Sequence, residues 1–181
     1  TGLLVVPLLF AGWSFKIFRA DQCLAQAKTA METNDLDRAS SRIEAGLFWN
    51  PQEAELYSLR SALKAFAGDW AAADDNVRKS IRLSPFVSRF HREAGEIALR
   101  RGRREEALLY FETASRLLPR DIAPWLRIAQ LQEDAGRLPA AVEAYERVFR
   151  FMEEKPARDA GWETELSVKL SNLKEKLTHA P

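Results

Sequence analysis

The stretch Arg103–Pro119, RREEALLYFETASRLLP, decides how the chain folds, because its skeleton recurs before and after it at one interval. A small residue stands at Ala39, Ala73, Ala107 and Ala141, each 34 positions after the last. Four places further on come the bulky residues Ile43, Val77, Phe111 and Tyr145. Pro51, Pro85 and Pro119 close the first three copies, and Asn34, Gly68, Gly102 and Gly136 divide each copy in the middle. Small residues facing large ones let two helices approach closely, while a turn residue between two apolar-periodic segments marks a helix hairpin.

A period of about 34 residues built from two helices resembles the tetratricopeptide repeat family. The resemblance spans Ala20 to Met152, as repeats 20–51, 54–85, 88–119 and 122–152. It implies an all-α solenoid: a right-handed superhelix of four helix–turn–helix repeats, with an inner groove lined by the first helix of each pair and used to hold a peptide or helix of another protein. No catalysis and no cofactor is implied. The third copy matches best, with Gly95 in the slot where a missing side chain lets the paired helix approach. The first copy is the least typical, with Cys23, Ala27 and Ala30 at places usually held by larger or more distinctive residues. In the second, Leu56, Leu59 and Leu63 read one residue out of register, so a local adjustment is expected there.

The fourth copy carries Glu153 where the closing proline is expected, so its second helix should run on past Phe151. Lys155-Pro156-Ala157 then breaks it. Over 157–177, Trp162, Leu166, Leu170, Leu173 and Leu177 recur at spacings of three and four, which predicts an amphipathic helix. Repeat arrays need an end cap with a polar outer face, and this helix reads as one. Residues 178–181 read as a tail.

The amino-terminal segment differs in kind. Thr1 to Phe15 holds no charged residue, and its apolar side chains cover every face, as in a protein core or a bilayer. At about 1.5 Å per residue the run reaches roughly 22 Å, short of a ~30 Å hydrocarbon layer, so it is a span only if chain lies upstream of Thr1. The start at Thr1 rather than methionine fits that expectation. Residues 1–19 are expected to form an apolar transmembrane anchor, with Trp13, Phe15, Lys16, Phe18 and Arg19 at the membrane interface. The cations next to the span favour a cytoplasmic array. Bacterial repeat proteins with a single amino-terminal anchor commonly face outward, which favours the periplasmic side of an inner membrane.

Composition excludes more than it specifies. The net charge is +1, which gives no general field for nucleic acid. Cys23 is the sole cysteine, so no internal disulfide forms, and His91 and His179 have no metal spacing with it. His91 stands one repeat before Trp125 and reads as a packing residue. Arg100, Arg101, Arg103 and Arg104 form a basic patch beside Glu105 and Glu106, for which a solvated turn is favoured over an acidic-partner or lipid-headgroup site. The candidate partner groove is Arg89, Arg92 and Glu96 from the third repeat with Gln130, Glu133 and Asp134 from the fourth, basic first and acidic later. Family members that hold a partner's terminal carboxylate use a lysine and asparagines. Here those places hold Leu24, Lys28, Leu59, Arg89 and Glu93, so that activity is not expected.

Three functions follow as expectations. The first is a membrane-anchored adaptor that binds protein partners and assembles a membrane complex, without nucleic acid or small-molecule substrate. The second is the carboxy-terminal arm of a larger bacterial membrane enzyme, such as an O-antigen ligase or glycan polymerase. The third is a soluble adaptor.

Overall fold

The computed structural model describes the backbone of residues 5–154 and 160–178 and the side chains of 14–152 and 164–178. Among the described residues every regular element is a helix: α1 (Val5–Glu32), α2 (Leu36–Trp49), α3 (Ala54–Phe66), α4 (Trp70–Leu83), α5 (Ser88–Arg100), α6 (Arg104–Leu117), α7 (Ile122–Asp134), α8 (Leu138–Glu154) and α9 (Ala160–Thr178). The starts of α3, α5 and α7 lie 34 residues apart, and so do those of α2, α4, α6 and α8. α8 runs on to Glu154, as the missing proline predicts. The helices fall into two compact units, Thr1–Phe86 with α1 to α4 and Val87–Pro181 with α5 to α9.

One local device sets the interval. Asn34, Gly68, Gly102 and Gly136 have φ of 57°, 79°, 73° and 70°, the left-handed conformation that ends a helix. The next N–H in each case reaches back five residues: Asp35 to Ala30 O at 2.8 Å, and Asp69 to Lys64 O, Arg103 to Ala98 O and Arg137 to Gln132 O at 2.9 Å. These are the long bonds of a Schellman motif, which satisfy carbonyls the ending helix would leave bare. Two of the helices that follow are capped at once, because Asp35 accepts from the Arg38 N–H at 3.1 Å and Asp69 from the Ala72 N–H at 3.0 Å.

In the first unit Ala27, Ile43, Leu47, Leu56 and Tyr57 are buried together, with Leu24, Leu59, Leu63 and Leu83 packed around them. The register adjustment expected in the second repeat does not occur. α3 keeps the bounds of α5 and α7 shifted by one period, and both Leu56 and Tyr57 point inward. Its glycine slot holds Ser61, whose buried hydroxyl donates to Ala73 O at 2.7 Å. That bond removes the penalty of burying a polar group and hides the slot from an apolar reading.

In the second unit one core runs through α5 to α9. Gly95 on α5 faces Phe111 on α6, so closely that an added Cβ would stand 2.7 Å from two ring atoms. The ring is fully buried, which contributes about 1.5–3 kcal/mol of transfer energy. α9 closes this unit by burying Leu166 and Leu173 and packing Leu170 and Leu177 at the edge, the face expected of a cap. Trp162 and residues 179–181, including His179, lie outside the described side chains, as does the break at 155–157.

α1 is one continuous helix of 28 residues, running from the apolar segment into the first repeat. Among the described residues, however, no helix is long and apolar enough to cross a membrane. Within the described helix Lys16, Arg19 and Asp21 follow the uncharged run at intervals of three and two residues and interrupt any longer apolar stretch. The transmembrane anchor expected over 1–19 is therefore not supported by the structure.

Candidate protein-binding face

The expected groove residues lie on α5 and α7, the first helices of the third and fourth repeats, and most are already engaged. Arg92 Nη1 meets Asp121 Oδ2 at 3.0 Å. Asp121 is also the cap of α7, accepting from the Ala123 N–H at 3.1 Å, so one carboxylate fixes both the helix start and the guanidinium. Arg127 bridges the face: its Nε donates to Glu96 Oε1 at 2.6 Å and its Nη1 to Gln130 Oε1 at 3.2 Å. Arg89 lies 3.8 Å from Glu93 one turn along its own helix and over the Phe90 ring.

Glu133 belongs to a different arrangement. Its Oε2 accepts from the Tyr145 hydroxyl and from Lys169 Nζ, both at 2.9 Å, which ties α7 to α8 and to the cap helix. Burial pushes the Glu133 carboxyl up, but the hydrogen bonds from Lys169 and Tyr145 outweigh it and hold the group below its ordinary value. The hydrogen bond to Glu133 raises Lys169 in turn, against burial, and burial foremost raises the Tyr145 phenol. Asp134 faces Arg104 at 4.0 Å.

The basic patch resolves in the same way. Arg103 pairs with Glu106 at 2.7 Å, Arg104 reaches Asp134, and Glu105 takes Arg137 at 2.7 Å, while Arg100 and Arg101 are exposed at the end of α5. The face is thus a ladder of mixed charge rather than a basic block followed by an acidic one. Arg127, Asp121 and Lys169 were missed by sequence reasoning. A usable signal existed: Arg92 and Asp121 are 29 residues apart, Glu96 and Arg127 31, and Glu105 and Arg137 32, so opposite charges nearly one period apart meet across neighbouring repeats.

Two clefts open on α7, the larger on the side of α6 and α8, away from Arg127, and the smaller beside Gln130. A cleft of about 310 Å³ opens between α6, α7 and α8, walled by Trp125, Ile128 and Ala144 with Arg116, Gln132 and Arg147 at its polar side. Arg147 stacks 4.7 Å over the Trp125 ring, whose Nε1 donates to Pro119 O at 3.1 Å. Tyr57, at the same slot of the second repeat, makes the matching bond to Pro51 O at 3.2 Å, so the aromatic slot also holds the closing proline's carbonyl. A smaller cleft of about 210 Å³ lies where Leu126, Gln130 and Tyr145 meet Leu166 and Lys169 of the cap.

His91 is buried beside Tyr110, with ring centroids 6.3 Å apart, and the described residues contain no group of three His, Cys, Asp or Glu side chains placed to hold a metal. Lys28, at the place of the carboxylate-holding lysine, pairs with Glu55 at 3.0 Å. Of the expected interface residues, Phe15, Lys16, Phe18 and Arg19 lie on α1 with Phe15 and Phe18 exposed, and the Trp13 side chain lies outside the described residues.

No family profile and no curated protein sequence matches the chain. Solved structures do. PilF of Pseudomonas aeruginosa superposes with a TM-score of 0.73 at 16% identity, over 90% of this chain and 71% of that one. YrrB, a TPR protein with an unusual peptide-binding site, superposes with a TM-score of 0.62 at 16% identity, over 82% and 83%. An O-GlcNAc transferase of Thermobaculum terrenum gives 0.68 at 16% identity, over 77% of this chain but only 26% of that enzyme. At such identities the likeness establishes one thing, that the fold is a tetratricopeptide-type stack of helix hairpins.

Proposed function

We propose that this chain is a non-catalytic adaptor that holds protein partners through the α5–α7 face and serves to assemble or stabilise a membrane protein complex. The observation that carries the reading is the ladder of half-exposed charged pairs on successive first helices, with the cleft of Leu126, Tyr145 and Leu166 beside its Gln130. A regular ladder of alternating charge suits a segment that must bind in one direction, with the cleft receiving an apolar side chain. The peptide-binding site of YrrB, built on the same fold, agrees with this use.

Membrane attachment is the second part of the proposal. Its support is the uncharged run Thr1–Phe15 followed directly by aromatic and cationic residues. In this reading the repeats lie on the extracytoplasmic side of a bacterial inner membrane.

The test is a mild-detergent affinity purification of the native protein beside an Arg92→Glu/Arg127→Glu variant. Integral membrane subunits should accompany the native protein in stoichiometric amount and be lost from the variant. Equal recovery with both would remove the α5–α7 face as the contact. A second reading draws on the Thermobaculum likeness, in which such an array forms about a quarter of an enzyme. There the chain would be the accessory arm of a larger membrane enzyme such as an O-antigen ligase or glycan polymerase, and the same purification would yield one much longer polypeptide. Release from membranes by salt alone would instead establish a soluble adaptor.

A further inference from the structure

The end of the first hairpin carries an exposed phenylalanine at a place where the other three repeats carry arginine. Phe48 on α2 is 78% exposed, and its ring meets Trp49 edge-on at 5.3 Å. Trp49 in turn meets Phe15 of α1 at 5.9 Å, and Arg19 stacks 5.8 Å over it. Phe18 is exposed on the same turns of α1. One, two and three periods after Phe48 the chain has Arg82, Arg116 and Arg150, all exposed. Three repeats thus place an arginine in water where the first places a phenylalanine. Repeat packing does not explain the change, since the ring is outside the core.

What distinguishes the first repeat is its neighbour in the chain. α2 ends at Trp49, level with Phe15, so α1 continues past the hairpin end as the uncharged helix from Val5. Phe15, Phe18, Phe48 and Trp49 therefore stand at one level on two helices, with apolar helix on one side and Lys16 and Arg19 among them. Aromatic rings and snorkelling cations at one level are what the headgroup zone of a bilayer accepts.

We infer that this collar docks the end of the first hairpin into the headgroup region of a phospholipid bilayer containing anionic lipid, with α2 supplying a second point of contact beside α1. Such docking rests on the membrane attachment proposed above. Two contacts on antiparallel helices fix the tilt of the hairpin at the membrane, which a single helix entering the bilayer does not.

The test uses the full chain with Cys23→Ala, since that thiol is buried, and a nitroxide on Phe48→Cys or, for contrast, on Arg82→Cys. On phosphatidylcholine–phosphatidylglycerol vesicles, the label at 48 should be more accessible to oxygen than to a water-soluble nickel complex, and the label at 82 the reverse. Phe48→Ser, which removes the ring without adding charge, should weaken vesicle partitioning about tenfold with the circular dichroism unchanged. Binding to vesicles with the label at 48 still in water would overturn the docking and leave the anchor standing. No vesicle binding at all would overturn both. Shielding of that label without vesicles, together with self-association in sedimentation, would give the surface to a second copy and overturn the inference.

Discussion

The first and third hairpins have the same length of period and the same turn, yet they reach close packing by opposite means. In the third, the hole is on the first helix, at Gly95, and the knob is Phe111 of its own partner helix. In the first, the equivalent places hold Ala27 and Ile43, both fully buried, and the glycine has moved to the second helix. A Cβ on that residue, Gly46, would stand 2.6 Å from Leu56 of α3 and 3.2 Å from Cys23 of α1. The third hairpin is tightest within itself, whereas the first is tightest where α1, α2 and the following α3 converge. A repeat can therefore drop the family's expected residues, as Cys23, Ala27 and Ala30 do, provided the close approach is relocated.

The comparison breaks most easily at Phe111. Phe111→Ala should destabilise the second unit by about 3–5 kcal/mol in chemical denaturation, because a fully buried ring leaves a cavity facing a glycine that cannot fill it. Gly95→Ala overfills the same site and should cost about 1–3 kcal/mol, with part recovered in the Gly95→Ala/Phe111→Leu double variant. If the double variant were merely additive, the knob and hole would not be a unit.

Gly46→Ala should cost less, about 1–2 kcal/mol, since its nearest obstacle is the end of a flexible leucine rather than a ring. Its effect should appear in the first unit, seen as faster hydrogen exchange in α1 to α3 with α5 and α6 unchanged. A loss equal to that of Gly95→Ala would show that the two hairpins are packed alike after all.

The turns sharpen the contrast further. Gly102→Ala places a Cβ in the left-handed region and should cost about 1 kcal/mol, while Asn34→Gly should change stability by only a few tenths, because asparagine tolerates that conformation. Equal responses in thermal melts would mean that the strain is carried elsewhere in the turn.

The smallest effect concerns the cap. Glu133 has a lowered folded value, so its contribution is present above the ordinary 4.5 and is lost as pH falls through the folded value. Lys169 has a raised folded value, so its contribution is present below the ordinary 10.5 and is lost as pH rises through the folded value. Docking of α9 should therefore hold between those limits and loosen in acid first. Glu133→Gln should flatten the acid limb and cost under about 1 kcal/mol at neutral pH, given that both partners are partly exposed. Hydrogen exchange in α9 across an acid titration reads this directly.

Much of this was legible without coordinates. The interval of 34, the extended α8 and the apolar face of α9 followed from turn chemistry and apolar spacing, which act within a few residues. Expectations failed where a side chain's partner lies in another helix. Ser61 looks polar until its hydroxyl finds Ala73 O, so the pattern Leu56, Leu59, Leu63 suggested a shift that the helix does not make. The groove charges read as a segregated field because Asp121 and Arg127, which meet Arg92 and Glu96, are about thirty residues away.

The sequence by itself determined the repeat, its turns and its helical stripes, because left-handed turn residues and the 3.6-residue period are local properties of the chain. Only the tertiary structure decided that Gly46 takes the close approach in the first hairpin, which charges meet across repeats, and that Phe48 joins Phe15 and Trp49 at one end of a hairpin. Those outcomes depend on distances between helices that no single stretch of the chain contains.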